Sequence, residues 1–351
     1  SARSCFESLF FIPLTKPTAM KKIGRFLLLA LAALLLLAAA GMAYIYWALP
    51  KAPPAPELTI ELSPQRLVRG EYLANAVMGC LDCHAQRDFT KFTAPVIPGT
   101  EGAGGERWGH EMNFAGEMYA PNITPAALKN WSDGELFRAI TQGINRDGKA
   151  LFPIMPYLKY GALDREDIYA VIAYLRTIEP VENQVPERKL DFPLSLIVNT
   201  IPRSPQFSNR PSATASKQEK GAYLIKAAAC GECHTPMEKG QFITEMEYAG
   251  GMAFPMPNGT VCYSSNLTPH EETGLGAWTE EKFIERFTRH RDGKLAERKV
   301  KPGEFNSIMP WTYYAQMTDE DLASIYAYLQ SLEPIEHAVE KFHSSTEEQE
   351  S

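Results

Sequence analysis

Apolar residues in this chain fall into one long uninterrupted run near the start and several short stretches of helical period, separated by polar, proline-rich passages. From Phe26 to Leu49 there are twenty-four consecutive uncharged residues, FLLLALAALLLLAAAGMAYIYWAL. Further on, in EDIYAVIAYLRTI, apolar side chains recur at Ile168, Ile172 and Leu175 and at Val171, Tyr174 and Ile178, and Pro180 closes the segment. That spacing predicts a helix with one buried face. WSDGELFRAI predicts another, starting at about Asp133, because Ser132 and Glu135 form a capping box. WTEEKFIERF carries a weaker version with Thr279 and Lys282. The 26 prolines predict short helices joined by stiff, irregular backbone.

As a helix the apolar run extends roughly 36 Å, enough to cross a bilayer. Lys21, Lys22 and Arg25 precede it and only Lys51 closely follows. This asymmetry predicts a cytoplasmic N-terminus, with everything after Leu49 outside. Tyr44, Tyr46 and Trp47 suit the outer aromatic belt. A cleavable signal peptide is the competing reading, but its apolar core spans only about 7 to 15 residues, so residues 20–50 are read as a retained signal anchor. Residues 1–19 read as an extension ahead of Met20, and Cys5 within them receives no role. Residues 51–65, KAPPAPELTIELSPQ, read as a stiff spacer.

The chain then carries one pattern twice. RGEYLANAVMGCLDCH (69–84) matches KGAYLIKAAACGECH (220–234), and NITP (122–125) matches NLTP (266–269). The tryptophan segments at Trp131 and Trp278, the RDGK tetrads, the IMP triplets at Ile154 and Ile308 and the helices ending at Pro180 and Pro334 follow in the same order. The separation of matched positions drifts from 151 (Gly70, Gly221) through 144 (Asn122, Asn266) to 154 (Met155, Met309), so insertions lie between the motifs. A self-match of this extent marks a duplicated unit. The first is assigned to 66–182 and the second to 216–335, with a proline-rich connection at 183–215 and an acidic tail at 336–351. A length of 351 residues accommodates two such cores.

A formal net charge of −7 argues against nucleic-acid binding, which needs a basic face. Four of the six cysteines form two C-x-x-C-H motifs, Cys80–Cys83–His84 and Cys230–Cys233–His234, the pattern of c-type haem attachment. Two thiols three residues apart can each add to one vinyl group of a porphyrin, and the adjacent histidine then points a ring nitrogen at the iron. Zinc would draw four ligands from closer pairs, and a thioredoxin-like redox pair would sit in a βαβ context. A second axial ligand should be present in both repeats. Met155 and Met309, each in an IMP triplet whose proline stiffens the loop, meet that condition. Met118 is matched by Cys262, which reads as a small buried residue.

Other repeated residues are candidates for the haem environment. Asn122 and Asn266 can bond a propionate or cap a loop, and Trp131 and Trp278 can pack on the haem edge or seal the core. Arg138, Arg146, Arg286 and Arg291 can balance propionates, although a solvated helix face is the default for lone charges. His110, His270, His290, His337 and His343 do not recur at matching positions and read as surface or structural residues.

In these motifs the chain resembles the mono- and dihaem cytochromes c of bacteria, in particular the cytochrome subunits of membrane-bound alcohol, aldehyde and gluconate dehydrogenases. The resemblance spans about residues 65–335: C-x-x-C-H, N-[IL]-T-P, the W-[ST] helix start, the M-P loop and the final Y-L helix occur in that order. It implies an all-α fold of two tandem class I-like cytochrome c domains after one N-terminal transmembrane helix. It also implies two haem c groups, held by Cys80, Cys83, His84 and Met155 and by Cys230, Cys233, His234 and Met309. Such subunits typically carry three haem motifs, whereas two are present here.

The expected function is single-electron transfer between a membrane or periplasmic donor, a dehydrogenase or quinol-oxidising complex, and a cytochrome or terminal oxidase, as a subunit of a respiratory or photosynthetic electron-transfer complex. No catalytic residue is expected. The expected location is the bacterial inner membrane, held by residues 26–49, with the haem domains on the periplasmic side. The alternative is a dihaem redox enzyme, peroxidase-like or thiosulfate-oxidising, which needs an open iron position.

Overall fold

The repeated sequence folds into repeated helices. The computed structural model describes residues 17–344, so Cys5 and the last seven residues lie outside it. Helix α1 (Pro17–Ala48) lies in one compact unit, and the chain from Pro50 onwards forms a second. Among the described residues α1 is the one helix long and apolar enough to cross a membrane. Its leucines, from Leu27 to Leu37, are exposed. A helix apolar on all sides and unburied by protein is compatible with a lipid environment.

In the second unit, the first repeat contains α2 (Pro64–Tyr72), α3 (Cys80–Cys83), α4 (Pro125–Leu128), α5 (Asp133–Gln142), α6 (Tyr157–Tyr160) and α7 (Arg165–Leu175), and a π-helical turn continues α2 to Val77. A short helix, α8 (Leu194–Ile197), lies in the connection. The second repeat follows with α9 (Lys217–Ala227), α10 (Cys230–His234), α11 (Glu280–Thr288), α12 (Trp311–Tyr314) and α13 (Asp319–Leu329). Start signals read from the sequence are used. Ser132 accepts from the Glu135 amide at 3.1 Å while Glu135 accepts from the Ser132 amide at 2.8 Å, and Thr279 accepts from the Lys282 amide at 3.2 Å.

The fold is not purely helical. Strands β1 (Arg107–Trp108), β2 (Gly116–Tyr119) and β3 (Lys189–Leu190) form one antiparallel sheet in that order; β4 (Met237–Glu238) pairs with β5 (Gln241–Phe242). Strands β6 (Ala253–Pro255), β7 (Thr260–Tyr263) and β8 (Phe342–Ser344) form a third sheet. Most occupy the insertions between the haem motif and the N-[IL]-T-P loop, and at two to four residues each they are too short to show an alternating pattern. Met118 and Cys262 hold equivalent buried places in β2 and β7, and Cys262 is the small core residue its neighbours suggest.

Each repeat is built on a close crossing of its first and last helices. An added Cβ at Gly70 in α2 would meet the Ala170 carbonyl oxygen of α7 at 1.9 Å, and one at Gly221 in α9 would meet the Ser324 carbonyl oxygen of α13 at 1.9 Å. The repeats also clasp each other reciprocally. The Tyr72 hydroxyl donates to Asp321 at 2.5 Å and accepts from the Thr318 amide, and the Tyr223 hydroxyl donates to Asp167 at 2.7 Å and accepts from the Asp164 amide.

Asp167 is 1% exposed and also receives Arg69, at 2.8 Å, and Arg210, at 3.0 Å. Burial works against its carboxylate, but these guanidinium groups and the Tyr223 hydroxyl outweigh burial and hold its pKa below the ordinary value. A carboxyl with a depressed folded pKa stabilises the fold above its unfolded pKa, about 3.9, and that stabilisation is lost as the pH falls through the folded value. Asp167→Asn is therefore expected to cost about 3 kcal/mol at pH 7. The gap from wild type should narrow in acid. Denaturant titrations at pH 7 and pH 3 measure both, and an equal loss at the two values would contradict the assignment.

Two segments read as connections are laid onto the fold instead. Leu58 and Ile60 pack against the core, and the Ile60 amide donates to Asp133 at 2.9 Å, so the proline-rich stretch lines the first repeat rather than acting as a free spacer. In the 183–215 connection Phe207 stacks on Phe137 at 5.4 Å. The tail joins the second repeat through β8 and through His337, which bonds the Ala249 carbonyl at 2.9 Å. Arg138 is 6% exposed, not solvated, because the 145–146 turn and Pro53 fold over it and accept its guanidinium protons.

Candidate haem-attachment sites

Both C-x-x-C-H motifs sit on one helical turn entered through a left-handed residue, Gly79 at φ 60° and Ala229 at φ 52°. This sharp turn separates α2 with its π continuation, and α9, from the helix that carries the cysteines. In each repeat the histidine is fixed in the same way. Nδ1 of His84 lies 2.8 Å from the Pro121 carbonyl, and Nδ1 of His234 lies 2.8 Å from the Ser265 carbonyl. A carbonyl can only accept, so Nδ1 carries the proton and the Nε2 lone pair is left for a metal. Burial lowers both imidazole pKa values, opposed by these bonds, which favours the neutral, ligating form.

The same fold positions the backbone around each histidine. The His84 carbonyl accepts from Gly104 at 2.9 Å and the His234 carbonyl from Gly250 at 2.8 Å, tying each motif to the loop that ends in N-[IL]-T-P. Cys83 and Cys233 are exposed, yet enough protein surrounds them that burial pushes their thiols up to about 12 and about 11. Cys80 and Cys230, half-buried, are pushed up to about 12. Accessible paired sulfurs beside an imidazole with a free Nε2 fit covalent haem.

Met155 and Met309 are half-buried and packed against the core. A tyrosine five residues beyond each methionine ties its loop to the haem motif of the same repeat. The Tyr160 hydroxyl donates to the Met78 carbonyl at 3.4 Å, and the Tyr314 hydroxyl donates to the Ala228 carbonyl at 2.9 Å, in each case two residues before the first cysteine. These tyrosines recur in YLKY and WTYY, and that recurrence was their sequence signal. Spacing alone did not reveal what they bond.

The remaining repeated residues have structural partners. The Asn122 side-chain oxygen accepts from the Thr124 amide and hydroxyl, both at 2.8 Å, while its amide donates to the Val181 carbonyl at 2.8 Å. Asn266 does the same with Thr268 and Ile335. Both asparagines thus cap the loop and tie it to the chain after the last helix. Trp131 and Trp278 are half-buried against the core. Their carbonyls accept from Arg176 and from the Tyr326 hydroxyl. His290 is 2% exposed and stacks on Trp311 at 5.0 Å.

Residues 218–333 match the family model for cytochrome c. The second repeat is a cytochrome c domain. Haem c is the cofactor of such a domain, and this chain has two attachment motifs for it. The cytochrome c domain extends from α9 to just beyond α13, so the family match covers the motif, the N-[IL]-T-P loop and the methionine loop together.

Named relatives fit this assignment. A protein of Cereibacter sphaeroides named "Diheme cytochrome c-type" is 26% identical over 321 residues, covering 89% of this chain and 99% of that protein. The "Fructose dehydrogenase cytochrome subunit" of Gluconobacter japonicus is 28% identical over 277 residues, 75% of this chain and 52% of the relative. The "Alcohol dehydrogenase (quinone), cytochrome c subunit" of Gluconobacter oxydans is 27% identical over 285 residues, with 75% and 54% covered. This chain spans about half the length of those dehydrogenase subunits. An electron-transfer role fits these relatives, and the work of a cytochrome c is electron transport.

Proposed function

We propose that the chain is a membrane-anchored dihaem cytochrome c with two tandem cytochrome c domains, which passes single electrons from a dehydrogenase or quinol-oxidising complex to a cytochrome or terminal oxidase. The observation that carries this reading is the duplication of one whole site: motif, oriented histidine, tyrosine-tied methionine loop and asparagine clip occur in both repeats. Haem iron cycling between ferrous and ferric forms supplies the one-electron chemistry.

Within that reading, Cys80 and Cys83, and Cys230 and Cys233, hold the porphyrins by thioethers. His84 and His234 would offer Nε2 to the iron, and Met155 and Met309 would offer their thioether sulfurs. An iron held by a histidine and a methionine would have no place for water or substrate, which would suit a carrier rather than a catalyst. Helix α1 anchors the chain in the inner membrane with the repeats on the periplasmic side, in line with the basic residues before it. The relatives' names favour a dehydrogenase complex as the electron donor.

A redox titration of the detergent-solubilised protein, followed by visible and near-infrared absorption, tests the reading. The expected result is two low-spin haems, both with the weak near-infrared band of methionine bound to ferric haem. A high-spin haem in either redox state would overturn the carrier assignment and favour a peroxidase-like or thiosulfate-oxidising enzyme at that site.

A further inference from the structure

The loop after the first haem motif does not stay in its own repeat. Residues 87–94 reach onto the segment that leads to Met309. The Phe92 amide donates to the Arg298 carbonyl at 2.8 Å, and the Val300 amide donates to the Thr90 carbonyl at 2.8 Å. Asn306, 1% exposed, donates to the Phe89 and Lys91 carbonyls at 3.4 and 3.2 Å, and its side-chain oxygen accepts from the Thr93 amide at 2.9 Å. The same oxygen accepts from the Ser307 amide at 2.8 Å, and the Ser307 hydroxyl accepts from the Met309 amide at 3.2 Å. A continuous hydrogen-bond chain thus joins the tip of the loop to the backbone of Met309. Arg87, in a buried ion pair with Asp82, donates to the Ile308 carbonyl at 3.4 Å.

Two further features show that this contact is built. Thr93 is β-branched yet holds φ at 68°, a conformation such residues rarely adopt and keep only where surroundings impose it. Phe92 is buried against Phe305 and His290, with the Arg298 guanidinium 4.6 Å from its ring centre. The segment leading to Met155 is held without the second repeat: the Leu151 amide donates to the Gly143 carbonyl at 2.6 Å, and Arg188, in the connection, donates to the Ala150 carbonyl. Beyond Met155, Lys159 does reach Glu232 of the second repeat at 3.4 Å, so the difference between the repeats lies in the segment that leads to each methionine.

We propose that residues 87–94 of the first repeat are the positioning element for Met309, so that ligation in the second repeat depends on contact with the first. The inference rests on Met309 being an axial ligand, and the experiment separates the two. In the full-length dihaem protein, Met309→His should remove half of the near-infrared methionine band. No loss would remove the ligand reading and the proposal with it.

Given that result, Phe92→Ala should lower the band by up to half and lower one of the two reduction potentials, with both haems retained in the pyridine haemochrome assay. In the Met309→His background Phe92→Ala should take nothing further. A wild-type band in Phe92→Ala, or a further loss in the double variant, which would place the effect at Met155, overturns the proposal. If Phe92→Ala does not fold, Phe92→Leu, which removes less volume, and Asn306→Asp, which keeps it, are read by the same comparison.

Discussion

Replacing Met309 by histidine is expected to lower the reduction potential of one haem by about a few tenths of a volt, within the range of roughly 0.8 V that axial ligands span. The thioether is a soft, weak donor that favours ferrous iron, whereas a second imidazole donates more strongly and favours ferric iron. At about 59 mV per tenfold for one electron, such a shift is several decades in the ferric-to-ferrous ratio. Met155→His should do the same to the other haem, because Tyr160 and Tyr314 tie the two methionine loops alike. Spectroelectrochemistry of the two variants resolves the potentials. Two potentials unmoved in either variant would place the sixth ligand elsewhere.

Gly221→Ala is expected to destabilise the protein by about 3 kcal/mol, the upper end of the cost of forcing an extra methyl into a packed core. The added carbon has no room: it would lie 1.9 Å from the Ser324 carbonyl oxygen, 2.6 Å from its carbon and 2.8 Å from Tyr328 Cβ. These neighbours are two atoms of backbone and one next to it, so relief requires α9 and α13 to separate. At roughly 2–4 °C per kcal/mol for a unit of this size, the melting temperature should fall by about 6–12 °C. Gly70→Ala should behave alike, since its Cβ would meet Ala170 at 1.9 Å. Calorimetry of the holoprotein measures both. A loss below about 1 kcal/mol would mean that the crossing yields more readily than its geometry implies.

Much of each candidate haem site was legible because the chemistry it proposes is local. Two cysteines and a histidine within five residues need only one helical turn to share a porphyrin, and that turn formed in both repeats. Helix starts were legible for the same reason: Ser132 and Glu135 satisfy each other across three residues. The strands were not. Pairings such as Arg107 with Tyr119 or Cys262 with Phe342 involve elements of two to four residues, which carry too few positions for a period to show.

By itself the sequence determined the duplicated unit, the attachment motifs, the methionine candidates and the apolar helix, all of which follow from neighbours along the chain or from comparing one half with the other. Only the tertiary structure decided how the halves clasp. Tyr72 meets Asp321, Tyr223 meets Asp167, and the Thr93 amide meets Asn306 across 213 residues. It also decided that Arg138 is buried and that the 53–60 segment lines α5. The physical reason is that a hydrogen bond or buried charge between distant residues leaves no spacing in the sequence. Its partners are set by how packed helices bring separate loops together, and that geometry exists only after the core has formed.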